Sequence, residues 1–271
     1  YAIWKPNKYT IEYDSNVEPG SVDTMSVSYD ENIYLKKNTY TREGYTFKGW
    51  STKPDGKVEY EDHANVRTLS TQGAVRLYAL WEPNQYTVRF KSSGGAGEMD
   101  AVDAAYDEMF NLPVNSFEKE GNHFEGWALE PISSSLKMSS KLKKVAADEE
   151  DSGAAKISDG SSVINLATSG TVNLYAVWGV NDYEIQFDSN GGIGVMKNQQ
   201  MAYGTFCLLK ENSFTRKGYA FTGWATKPTG NVVYTDKEHV GNLVKSGTIT
   251  LYAKWEKNSS TVRVNPNGGS L

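Results

Sequence analysis

Three stretches of the chain share one alternation of apolar and polar positions. Tyr9, Ile11 and Tyr13 alternate with Thr10 and Glu12, and the pattern returns at Tyr86, Val88 and Phe90 and at Tyr183, Ile185 and Phe187. A period of two places the apolar set on one face, which predicts a half-buried strand in each stretch. Turn residues follow at Asp14-Ser15-Asn16, Ser92-Ser93-Gly94-Gly95 and Asp188-Ser189-Asn190-Gly191-Gly192, so each strand runs into a hairpin or tight loop. A second strand then leads to Tyr29, Tyr106 and Tyr203. Beyond it Ile33, Phe110 and Cys207 occupy matching positions, which makes the cysteine a small core residue rather than a reactive thiol.

Next comes a seven-residue phrase, Gly-x-x-Phe-x-Gly-Trp. It stands at Gly44-Tyr45-Thr46-Phe47-Lys48-Gly49-Trp50 and at Gly218-Tyr219-Ala220-Phe221-Thr222-Gly223-Trp224, with a looser copy at Gly121-Asn122-His123-Phe124-Glu125-Gly126-Trp127. Phe and Trp lie three apart, so in a plain strand they face opposite sides. Both are buried together only if the intervening glycine supports a bulge or a close backbone approach. The tryptophan is expected in a module core rather than as a flat platform for sugar or peptide. A small module without disulfides needs large aromatics to build a core at all.

Tight turns follow at Pro54-Asp55-Gly56 and Pro228-Thr229-Gly230. Val58 with Tyr60, Ala155 with Ile157, and Val232 with Tyr234 predict a further strand. Asp62, Asp159 and Asp236 are placed to cap a short helix, across which Val66 and Leu69, Val163 and Leu166, and Val240 and Leu243 keep a three-residue spacing. Gly73, Gly170 and Gly247 would stop that helix. A last strand carries Leu77, Ala79 and Trp81, then Leu174, Ala176 and Trp178, then Leu251, Ala253 and Trp255. Its alternate face holds Leu80, Val177 and Lys254, and the lysine predicts exposure.

The seven tryptophans set the period. Four of them end a Tyr-Ala-x-Trp phrase, at Trp4, Trp81, Trp178 and Trp255, separated by 77, 97 and 77 positions. Internal periodicity of this kind marks a repeat array. The expected boundaries are residues 1–5 as the tail of one repeat, 6–82, 83–179 and 180–256 as three modules, and 257–271 as the start of another. Asn7, Asn84, Asn181 and Asn258 occupy one position in the short linkers. Such linkers limit reorientation. Three globules of this size in line span on the order of 90 Å, an elongated rod.

The 20 extra positions of the second module all fall within one turn, the 21 residues 132–152, where the other modules have one. This insert is sign-segregated, with Lys137, Lys141, Lys143 and Lys144 followed by Asp148, Glu149, Glu150 and Asp151. Insertions concentrate in surface loops, which also carry function disproportionately, so these eight residues form a candidate partner-binding loop. The plainer reading is a tolerated solvated loop, since added length costs little entropy.

Composition adds mainly exclusions. The net charge is −5 and scattered, without the basic face a nucleic-acid binder shows. No run of about 18 apolar residues predicts a membrane-inserted helix. One cysteine allows no intrachain disulfide. His63, His123 and His239 fall at unmatched positions, and no cluster has metal-ligand spacing, so no cofactor or metal is expected. The Gly-Gly turns lack the lysine and helix that phosphate binding needs. Nothing points to an enzyme.

Residues 183–192, the phrase at 218–224 and the closing Leu251-Tyr252-Ala253-Lys254-Trp255 resemble the Listeria–Bacteroides repeat, also called the internalin B-repeat. The resemblance recurs three times and covers essentially the whole chain. It implies a small β-grasp (ubiquitin- or SUMO-like) module, and bacterial surface or secreted proteins in which such modules act as stalks or adhesion elements. No catalytic residues come with it. The expected fold is mainly β with short helices (α+β), in tandem modules. The expected role is a spacer of a cell-surface adhesin, with neighbouring repeats as partners. The alternative is a module contacting a host protein or glycan through the 132–152 insert.

Overall fold

The computed structural model describes residues 1–130 and 156–262, so the eight candidate loop residues lie outside the described residues. Each predicted module forms strands in one order. The first contains β1 (Lys8–Asp14), β2 (Val22–Ser28), β3 (Asn32–Tyr34), β4 (Tyr45–Ser51), β5 (Asn65–Arg67) and β6 (Gly73–Pro83). The second contains β7 (Gln85–Lys91), β8 (Val102–Ala105), β9 (Phe110–Asn111), β10 (Asn122–Ala128), β11 (Ser162–Val163) and β12 (Gly170–Val180). The third contains β13 (Asp182–Asp188), β14 (Gln199–Ala202), β15 (Phe206–Leu208), β16 (Tyr219–Ala225), β17 (His239–Gly241) and β18 (Gly247–Lys257).

Each module builds a four-stranded sheet, in the orders β2-β1-β6-β4, β10-β12-β7-β8 and β14-β13-β18-β16. The opening and closing strands lie side by side and parallel: β1 with β6, β7 with β12, β13 with β18. A two-stranded ribbon accompanies each sheet, pairing β3 with β5, β9 with β11 and β15 with β17. By compactness the chain divides into two units. One comprises Tyr1–Lys91, Met99–Asn115 and Trp127–Tyr175; the other comprises Ser92–Glu98, Ser116–Gly126 and the chain from Ala176 onward.

The alternation places its apolar face inward. Tyr9, Ile11 and Tyr13 are at most 2% exposed, and with Leu77, Ala79 and Trp50 they form one core. Tyr183, Ile185, Leu251, Ala253 and Trp224 form its counterpart in the other unit. The bulge also forms. The pairing of β4 with β6 shifts between Phe47 and Gly49, and that of β16 with β18 between Phe221 and Gly223. The shift brings Phe47 and Trp50 to 5.1 Å between ring centroids, and Phe221 and Trp224 to 4.9 Å. A Cβ on Gly223, whose φ is +143°, would stand 2.6 Å from the Tyr234 carbonyl oxygen, so this position needs glycine. Closing tryptophans tie first turn to last strand: Trp81 Nε1 donates to the Ser15 carbonyl at 2.9 Å and Trp255 Nε1 to that of Ser189 at 2.9 Å.

The short helix does not form, and with it the α+β and β-grasp expectations fall: among the described residues there is no helix to lie across a sheet. Val66 instead pairs with Ile33 as a strand residue. The three-residue spacing to Leu69 comes from a backbone kink, because Thr68 takes φ +54°, as its counterparts Asn165 (+55°) and Asn242 (+55°) do. Left-handed residues interrupt a helix and reset which side chain points inward. Asp62, Asp159 and Asp236 cap no helix. They accept hydrogen bonds from the amides of Asn38, Asn115 and Asn212 at 2.8, 2.8 and 2.9 Å. Gly73, Gly170 and Gly247 have positive φ but begin the last strand instead of ending a helix. The strand expected at Tyr60, Ile157 and Tyr234 shrinks to single bridges with Trp50, Trp127 and Trp224.

Candidate functional site

The site that recurs lies where one module meets the next, and the linker asparagine is at its centre. In the first joint the Asn84 amide donates to the Gly44 carbonyl at 2.8 Å, and the Asn84 carbonyl accepts from the Tyr106 amide at 3.0 Å. The second joint repeats this with Asn181, Gly121 (2.9 Å) and Tyr203 (2.9 Å). Side chains of the asparagines add contacts. Thr46 donates to Asn84 Oδ1 at 2.6 Å and Asn84 Nδ2 to the Thr168 carbonyl at 3.0 Å; His123 Nδ1 lies 2.8 Å from Asn181 Oδ1, and Asn181 Nδ2 donates to the Lys245 carbonyl at 3.2 Å.

The first glycine of the aromatic phrase is a socket. The Tyr106 ring lies over Gly44, so that a Cβ there would meet it at 2.3 Å, and the Tyr203 ring covers Gly121, where the distance would be 2.0 Å. Both glycines have positive φ, +75° and +65°, and both are buried. Two requirements therefore select glycine, a left-handed backbone and bare space for a ring.

The polar halves of the joints differ. In the first, Tyr45 donates its hydroxyl to Asp107 Oδ2 at 2.7 Å, Asn165 Nδ2 donates to Asp107 Oδ1 at 2.7 Å, and the Arg42 guanidinium stacks 3.6 Å from the Tyr45 ring centroid. At the second joint Asn122 and Gly204 replace Tyr45 and Asp107, and a Lys245–Glu120 ion pair at 3.3 Å is added. Exposed pairs of this kind contribute little. Beside the first joint lies a cleft of about 670 Å³, lined by Asp14, Glu18, Arg42, Tyr45, Tyr78 and Tyr106 among others. Three of these have unlike counterparts one period on: Lys91 for Asp14, Gly95 for Glu18 and Asn122 for Tyr45.

The Asp107 carboxyl is held below its ordinary value of 3.8, first by the Asn165 amide and then by the Tyr45 hydroxyl. The Tyr45 phenol is pushed up, chiefly by that same bond to the carboxylate. A depressed carboxylate contributes in full above its unfolded value and loses the contribution as pH falls through its folded one. Acidification below about pH 4 is therefore expected to loosen the first joint, in the range set by Asp107's ordinary value. The second joint has Gly204 at this position and so lacks this carboxylate. Proton NMR of Gly44 and Gly121, whose α protons sit under tyrosine rings, would follow both joints separately.

His63 Nδ1 lies 2.7 Å from the Leu35 carbonyl, and the His239 ring stacks 6.2 Å from that of Phe206. Cys207 is half-buried on β15, where Gln199 Nε2 lies 2.9 Å from its sulfur. Among the described residues no group of three or more His, Cys, Asp or Glu is placed to hold a metal, and no helix is long and apolar enough to cross a membrane.

A strand-built module, repeated every 77 positions apart from one insertion and joined through the same asparagine and glycine, defines a tandem-repeat protein. Comparison with known families agrees on the unit. The model of the Listeria-Bacteroides repeat domain matches residues 9–80, 86–148 and 183–254, and the chain belongs to that family. Two proteins of Evansella cellulosilytica are similar along nearly its whole length. One, named a Gly-rich membrane protein, is 32% identical over 273 residues, and the other, named a membrane protein, is 29% identical over 268. The chain spans only 28% and 34% of their lengths. Internalin H of Listeria monocytogenes is 34% identical over 90 residues, which is 33% of this chain and 15% of that protein.

Proposed function

We propose that this chain is a non-catalytic spacer of a bacterial cell-surface protein, holding an adhesive domain encoded elsewhere away from the cell envelope. The observation that carries the reading is the twice-built joint. Inter-module contacts are often loose enough to permit motion. Here Asn84 and Asn181 are each bonded to both neighbouring modules, and at each joint a tyrosine ring is seated on a glycine. That arrangement suits a part whose work is to hold position. The names of the relatives support a place at the membrane or cell surface.

A second reading, contact with a host protein or glycan, is favoured by the cleft at the first joint, whose lining departs from the repeat. Its other candidate, the loop bearing Lys137, Lys141, Lys143, Lys144, Asp148, Glu149, Glu150 and Asp151, lies outside the described residues. One experiment separates the two. In the full-length protein on the bacterial surface, residues 6–256 are deleted, or replaced by the matching repeats of an Evansella relative. A spacer predicts that deletion impairs surface attachment and that foreign repeats restore it. Failure of the foreign repeats, with surface display intact, would refute the spacer and favour direct binding.

A further inference from the structure

The Gly218 face carries one more copy of the socket, and among the described residues nothing covers it. Gly218 has φ +79°, matching Gly44 and Gly121, and Asn258 already donates its amide to the Gly218 carbonyl at 2.9 Å. Yet a Cβ on Gly218 would meet nothing within 4 Å among the described residues, and the glycine is exposed where Gly44 and Gly121 are buried. The complementary half, at the first module, is uncovered among the described residues. There Tyr29 is 42% exposed although its amide already bonds the Asn7 carbonyl at 2.7 Å. The linker asparagine therefore sets up each half by itself, and the seating of ring on glycine is the step that joins two modules.

The chain shows two kinds of joint, and the polar side chains beside Gly218 match one of them. Tyr219 follows Gly218 as Tyr45 follows Gly44, and Arg216 lies over the Tyr219 ring at 4.2 Å as Arg42 lies over that of Tyr45 at 3.6 Å. The second joint instead has Lys119 and Asn122 at these positions. At the first joint the tyrosine hydroxyl is answered by Asp107, the residue after the docked Tyr106. The Tyr219 hydroxyl has no hydrogen-bond partner among the described residues.

We infer that the face formed by Gly218, Tyr219 and Asn258 is a docking surface for a further module of this repeat type, and that it selects modules presenting a tyrosine followed by an aspartate. The tyrosine ring covers Gly218 and the aspartate accepts the Tyr219 hydroxyl. Within this chain the second module presents such a head, Tyr106-Asp107, whereas the third presents Tyr203-Gly204. The inference rests on joint geometry and holds whether the array is a spacer or a binder.

The test joins residues 1–258 directly to either residues 85–179 or residues 182–257, in place of residues 259–271. Carbon-13 glycine labels report on the α protons of Gly218, which a seated ring moves upfield as at Gly44 and Gly121. The Gly126 or Gly223 copy in the added module reports that it is folded. The expected result is an upfield Gly218 with the Tyr-Asp head and a position near that of the unextended chain with the Tyr-Gly head. Gly204→Asp in the added third module should restore the shift, since Asn242 stands ready there as Asn165 does in the second. One charged hydrogen bond should change the docked-to-undocked ratio about tenfold or more. Tyr106→Ala in the added second module should abolish the shift. An unmoved Gly218 beside a folded Tyr-Asp module would overturn the docking surface, and equal shifts with both heads would overturn its selectivity.

Discussion

Trp224→Ala should cost about 3–5 kcal/mol, the range for removing a buried large aromatic from a packed core. The ring is fully buried at 0% exposure, with Phe187, Phe221 and Phe214 at centroid distances of 5.0, 4.9 and 6.2 Å. Its backbone is also a fixed point, since Trp224 N donates to the Tyr234 carbonyl at 2.8 Å and Tyr234 N to the Trp224 carbonyl at 3.1 Å. Small domains hold only about 5–15 kcal/mol in total, and a module this size sits low in that range. The third module is therefore expected to unfold in an early, separate transition in denaturant, while the first retains its own. A parent-like melt would show that the indole is not core, against its complete burial.

Gly121→Val should break the second joint while leaving the module cores folded. Two costs add. A β-branched residue at φ +65° is strained by about 1–2 kcal/mol, and the new Cβ would stand 2.0 Å from the Tyr203 ring, which must leave. Gly218→Val is the matched control. Its φ of +79° imposes similar backbone strain, but nothing among the described residues lies against the added carbon. Nitration of Tyr203, located by peptide mapping, should rise sharply in the first variant and stay at the parent level in the second. Equal nitration in parent and Gly121→Val would mean that the ring is not held by its socket.

The strands were legible because each opening stretch alternates strictly, and the bulge was legible because Phe and Trp three apart cannot otherwise share a core. The helical spacing misleads for a definite reason. Val66 and Leu69 carry helical spacing, but Thr68 between them turns left-handed, and threonine gives no advance sign of that. Asn165 and Asn242 at the same place tolerate positive φ better and were the available signal. The joint was half visible. Asn84 and Asn181 recur in the linkers, and Tyr106 and Tyr203 recur in the modules, but recurrence marks positions without saying which of them meet. Gly44 and Tyr106 are 62 positions apart, a distance shorter than the period, so no register of the repeat aligns them.

The parallel pairing of first and last strand has a consequence under load. Tension along the polypeptide enters each module at the start of β1, β7 or β13 and leaves at the end of β6, β12 or β18. Each pair runs parallel over six matched positions, so pulling slides one strand lengthwise along the other. The hydrogen bonds between them are then strained together in shear instead of opening one after another like a zip. Resistance to forced unfolding is set by the rate of crossing that barrier rather than by equilibrium stability. A module of modest thermodynamic stability can on this account still bear a pull along the chain.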